Sequence, residues 1–145
     1  MAQDSTKVLL GSHGSSDFVA TNENGAPATF VAGLVVCLAS TNQLTLAAAS
    51  GSMIGISMGI SLDDSEKTSV CRSGNYIPIQ ITDDEDDFSY VVIGAAVQVS
   101  ATTGKAVDAD GNATGAIFVS GPLKGIDPIT KAEIDVALVD LGGGL

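Results

Sequence analysis

Tryptophan is absent from this 145-residue chain, histidine occurs once, and the other aromatic rings are four Phe and two Tyr. Sugar-binding surfaces stack their ligands on such rings, so the shortage weighs against a carbohydrate-binding module. Basic residues are scarce too. Six Lys and Arg stand against seventeen Asp and Glu, a formal net charge of −11. No Lys/Arg cluster overrides that average, and a phosphate backbone or an anionic membrane repels an acidic surface. Neither nucleic acid nor membrane is expected as a partner. No apolar run approaches the roughly 18–20 residues that a membrane-spanning helix needs. The opening segment from Met1 to Phe18 has no apolar stretch followed by a small-residue cleavage site, so it does not read as a secretory signal.

Cysteine is limited to Cys37 and Cys71, 34 residues apart and outside any C-x-x-C motif. In a reducing cytosol such residues are buried small hydrophobes, and we expect thiols here and not a disulfide. Catalytic signatures are missing as well. No serine sits in a G-x-S-x-G elbow, and no glycine run forms a P-loop or a G-x-G-x-x-G turn into a helix.

What the chain does have is apolar mass of an unusual kind. Hydrophobic residues make up 45% of it, mostly Ala, Val, Ile and Leu, interrupted by 17 glycines. Disordered chains are far less hydrophobic, and the length suits one domain with a real core. So much aliphatic surface on a small domain implies partners, with self-association the simplest.

Residues 1–25 are polar and rich in Gly, Ser and Asn around one apolar island, Val8-Leu9-Leu10. They read as an N-terminal arm that orders on contact, or else as an irregular first strand at the domain edge. Residues 26–145 read as a β-barrel domain. Strand-like runs recur at Val31 to Leu38, Leu44 to Ala47, Met53 to Ile60, Thr68 to Cys71 and Tyr76 to Ile81. Further runs lie at Tyr90 to Ile93, Ala96 to Ser100, Ala116 to Ser120 and Ile134 to Val139. Turn residues every 8–12 positions or so, with no amphipathic helix, point to an all-β sandwich or barrel. Alternation puts Ile77, Ile79 and Ile81 on one face, and Pro78 argues for an edge strand. Ile134, Val136 and Leu138 likewise share a face, opposite Glu133 and Asp135. Gly55, Gly59 and Gly94 are expected at bulges or bends, and a short turn is the only helix allowed, between Asp127 and Ala132.

Four local features could carry chemistry. The run Asp83-Asp84-Glu85-Asp86-Asp87 is a solvated acidic loop or, with help from neighbouring chains, a cation site. Asp108-Ala109-Asp110-Gly111-Asn112-Ala113-Thr114-Gly115 has the Asp/Gly character of a calcium loop, but its glycine is fourth and its twelfth position is Val119, where such a loop has glycine sixth and Glu twelfth. Asp110-Gly111 reads instead as a hairpin turn. His13 lacks the companions a zinc site or an oriented general base requires. Gly142-Gly143-Gly144-Leu145 opens no helix that would cradle phosphate. No catalytic, cofactor-binding or metal-binding residue is assigned, no cofactor is expected, and the chain is read as a non-enzyme.

The order of strand features does resemble a known family. Ala32-Gly33-Leu34-Val35-Val36 is followed by Ile54-Gly55-Ile56, by a Cys71-to-Ile81 segment around Ser73-Gly74, and by Ile93-Gly94-Ala95-Ala96-Val97-Gln98-Val99-Ser100. Thr103-Gly104-Lys105-Ala106 and the closing Val136-Ala137-Leu138-Val139-Asp140-Leu141-Gly142-Gly143-Gly144-Leu145 complete it. Over roughly residues 28–145 this succession is similar to the capsid cement, or head decoration, proteins of tailed bacteriophages. The resemblance implies a small β-barrel or β-tulip-like domain with an extended N-terminal arm. It also implies a structural role on the outer surface of an expanded capsid, clamping major capsid subunits, after synthesis in the host bacterial cytoplasm. The implied partners are the major capsid protein and further copies of the chain, as homodimer or homotrimer. Two other readings stand beside it: a phage tail or other virion structural protein, and a trimeric β nucleotide hydrolase. The hydrolase needs a tyrosine-lined base pocket beside a catalytic Asp, surroundings that Tyr76 and Tyr90 lack.

Overall fold

The computed structural model describes residues 7–9, 18–22, 32–40, 43–46, 53–60, 67–82, 88–100, 103–107, 112–127 and 131–142. Among them the only regular elements are strands, so the domain is all-β as the sequence pattern predicts. In chain order these are β1 (Lys7–Leu9), β2 (Phe18–Asn22), β3 (Val35–Ser40), β4 (Gln43–Leu46) and β5 (Met53–Ile60). They continue with β6 (Lys67–Cys71), β7 (Ile77–Gln80), β8 (Ala96–Val99), β9 (Asn112–Ile126) and β10 (Glu133–Asp140).

Five strands close a barrel in the order β2-β4-β3-β5-β6, with β2 pairing β6 to complete the circle. Closure removes the unpaired edges that expose a sheet to aggregation. Two glycines make it fit. A Cβ on Gly55 would lie 2.3 Å from the Cys71 carbonyl oxygen, so only glycine lets β5 approach β6 this closely. Around Gly59 the β5–β6 register slips between Ser57 and Ile60, the bulge expected from the sequence.

The second sheet runs β1-β9-β10-β7, with β8 on the free side of β9. Its two ends curl toward each other and meet at Ala106, which bridges to Ile81 after β7 and to Val99 of β8. β7 ends the ladder, which suits Pro78, a residue with no N–H to donate. The interior of this curl is the main core. Ile77, Ile79, Ile81, Val97, Val99, Phe118, Ala137 and Val139 are all buried there, and Val35, Ile56 and Cys71 of the barrel join them. Cys37 and Cys71 are both buried thiols.

Backbone hydrogen bonds stitch the barrel to the curl. Gly33 N–H donates to Ser57, Val35 N–H donates to Gly104, and Gln80 N–H donates to the Gly33 carbonyl. Two segments of the stretch read as an arm are paired strands: β1 lies parallel to Lys124–Ile126, and β2 lies in the barrel. The run Tyr90 to Ile93 is not the strand its apolar character suggests. Ala95 N–H donates to the Val92 carbonyl, and Gly94 takes φ +87°, so the segment closes a tight turn. Conversely β9 extends well beyond Ala116 to Ser120. It continues through Gly121, whose bare Cα lets it press on Ala137: a Cβ there would lie 2.9 Å from the Ala137 Cβ. Between Asp127 and Ala132, Asp127 N–H donates to Ala132 and Lys131 N–H to Asp127, while residues 128–130 lie outside the described set.

Candidate functional site

His13, the Asp83–Asp87 run, residues 108–111 and residues 143–145 all lie outside the described residues. The remaining sequence candidates are described. Asn112 opens β9, and Gly115 three residues on has φ +84°. Tyr90 is half-buried between Phe88 and Phe118 in edge-to-face contacts with centroids 6.5 and 6.4 Å apart. Its hydroxyl donates to the Ala106 carbonyl at 3.3 Å, so it pins the residue that closes the curl. Tyr76 is exposed. Neither tyrosine lines the pocket described below.

Three buried polar side chains serve the backbone. Ser57 Oγ accepts from Leu34 N–H at 3.1 Å. Thr114 Oγ1 donates to the Val97 carbonyl and accepts from Ala116 N–H, both at 3.0 Å. Gln80 Nε2 donates to the Ala32 carbonyl at 2.8 Å. Groups committed in this way satisfy buried backbone atoms, whose desolvation would otherwise cost about 1–3 kcal/mol each. Among the described residues, no group of three or more His, Cys, Asp or Glu is placed to hold a metal ion. A pocket of about 190 Å³ is lined by Phe88, Pro122, Leu123, Lys124 and Asp135. Its two charged groups form an ion pair across β9 and β10, leaving apolar walls as its main recognition surface.

The outer face of the curled sheet is more informative. Strand register sorts it into rows. Gln80, Val136 and Leu123 stand level with one another, and Ala32 packs over Val136 with Leu123 and Ile134 beside it. That row is covered by the chain itself. At the opposite end, where β7 and β8 begin and β10 stops, Asp140, Ile117 and Ala96 are level. Tyr76 belongs to the same level, because Ile77 pairs Val139 and Gly74 bridges Gly142. Beside it the turn at Val92-Ile93 is tied to β9 through Gly94 N–H and the Phe118 carbonyl.

The exposed large hydrophobics of the described residues are Tyr76, Val92, Ile93 and Ile117, at 59, 54, 71 and 39% exposure. All four fall at this end. Tyr76 is held in the left-handed region at φ +58°, where a bulky side chain is strained and where such strain often marks a functional surface. Asp140 is the one carboxylate in the row, and its Oδ1 accepts from Gly142 N–H at 2.7 Å. Sequence reading missed this patch because strand pairing and a turn bring together residues far apart in the chain. The one local signal was Ile93-Gly94, an apolar residue at a turn dipeptide. Comparison of the chain with protein-family models, with curated proteins and with solved structures returns no match.

Proposed function

We propose that the chain is a structural cement protein that binds the outer surface of an expanded phage capsid and stabilises contacts between major capsid subunits. Three features support this reading: the all-β architecture, the acidic surface, and the succession of glycine-centred strands that resembles the decoration proteins. The observation that carries it is how lightly β1, the first described strand, is fastened. β1 is a three-residue edge strand with three register pairs to β9. An edge strand with so few pairs can be exchanged for a neighbouring subunit at small cost to stability. Repetition over a lattice then turns modest contacts into tight attachment. Copies of the chain itself are the second partner.

The test is binding to expanded heads assembled without the protein. Saturable occupancy and a rise in the temperature at which the heads rupture are expected. Heads that rupture at the same temperature with and without the protein would sink the reading. Deleting residues 2–17 removes β1 while leaving β2 in place; occupancy should fall at least about tenfold with the domain still folded.

A further inference from the structure

We propose that β1 is exchanged between copies of the chain, so that Lys7–Leu9 of one copy pairs with Lys124–Ile126 of the next. The inference rests on the reading above for its setting, a lattice that holds copies side by side, and it names the partner of β1 as a second copy.

The observation behind it is topological. Among the described residues, the curled sheet is otherwise built from β7 to β10, late in the chain, while β2 to β6 build the barrel. β1 alone leaves the barrel half of the sequence and joins the other sheet, at its end, beside β9. It also pairs parallel, whereas β9 meets β8 and β10, and β10 meets β7, antiparallel. Parallel neighbours cannot be joined by a tight hairpin, so β1 reaches β9 across the fold and not through a turn. Taking it away opens neither body. The barrel is closed by β2 against β6, and the curl is closed at Ala106. Residues 10–17 join β1 to β2 and reach about 26–29 Å when extended, which lets β1 cross to the edge of a touching copy.

The acceptor edge defines its own occupant. Lys124–Ile126 is covered by Lys-Val-Leu of β1, and a second copy carries the identical segment. Closed and exchanged forms make the same three pairs, so their balance turns on concentration and not on new contacts. In dilute solution each strand meets its own chain first. Where copies are crowded or fixed side by side, a neighbour's strand competes on equal terms.

Cysteine trapping on the full chain tests this. Lys7 and Lys124 are level in the register, and neighbouring strands lie about 4.8 Å apart, within the span a disulfide bridges. The native thiols, Cys37 and Cys71, are buried. Lys7→Cys and Lys124→Cys, prepared as separate chains and mixed under mild oxidation, can join only across copies. At about 1 mM chain, near the effective concentration of a short tether, the disulfide-linked heterodimer should exceed the homodimer of either variant at least about tenfold. At about 10 µM it should fall to the homodimer level, because intrachain pairing wins on dilution. The double variant Lys7→Cys/Lys124→Cys should close within one chain when dilute and link chains together when concentrated. A double variant that closes internally at every concentration, with no excess heterodimer in the mixture, would overturn the exchange. One that never closes would overturn the β1–β9 register on which the exchange stands. Neither result involves phage heads, so the capsid reading stands or falls separately on head binding.

Discussion

The two ends of one sheet face differ in who covers them. On the outside of the curl, the row of Gln80, Val136 and Leu123 lies beneath Ala32, and Val136 is fully buried. The row of Asp140, Ile117 and Ala96, on β10, β9 and β8, is left to solvent, with Ile117 at 39% exposure. Apolar residues occupy both rows, so composition does not separate them. The segment from Ala32 to Leu34 does. It reaches one end only, held by the Gln80 side chain and by backbone bonds from Gln80 and Gly33. The domain thus covers one half of an apolar face and leaves Ile117 and Ala96 of the other half exposed.

The largest effect should come from placing the same charge at both ends. Val136→Asp puts a carboxylate under Ala32 with no counter-charge, and should cost more than about 3 kcal/mol or abolish folding. Ile117→Asp on the bare row should change stability by no more than about 0.5 kcal/mol. Urea unfolding of the two variants decides it, and equal midpoints would erase the distinction between the ends.

A smaller effect is expected at the latch. Gln80→Ala removes the donor to the Ala32 carbonyl and leaves that oxygen unpaired, a loss of about 1–3 kcal/mol. If the latch holds the cover in place, hydrogen exchange at Gly33 N–H should accelerate with it. Exchange unchanged from wild type would mean that the backbone bonds alone hold the segment. The smallest effect belongs to the rim. Lys124 pairs with Asp135 while 57% exposed, and Lys124→Ala should shift stability by only about 0.2–1 kcal/mol, fading with added salt.

Much of the strand pattern was legible in the chain. Met53 to Ile60 reads as a strand and is β5 residue for residue. The alternation Ile77, Ile79, Ile81 marks residues that all enter the core, because period two puts them on one side of the pleat. Other readings needed partners to settle them. Ile134, Val136 and Leu138 alternate as convincingly as the isoleucines of β7. Yet the main core takes Ala137 and Val139 from that strand and Leu141 just after it, while Ile134 and Val136 pack outward against Ala32. The inward face begins with Glu133 and Asp135 and turns apolar at Ala137 and Val139, so only the neighbours of β10 decide which face looks inward. Tyr90 to Ile93 failed as a strand for a local reason: Gly94 at positive φ turns the chain before a ladder can form.

By itself, then, the sequence determined the strand class, the acidity, the lack of catalytic motifs and the glycines that let strands bend. Those follow from residue type and from spacing within a few positions, which local sterics and charge translate directly. Which apolar residues are buried and which stand bare was decided by tertiary structure. Ala32 lies more than a hundred residues before Val136, and Tyr76, Ile117 and Ala96 reach one level only after three strand pairings are in register. Burial depends on what packs across the sheet, and no local spacing records that.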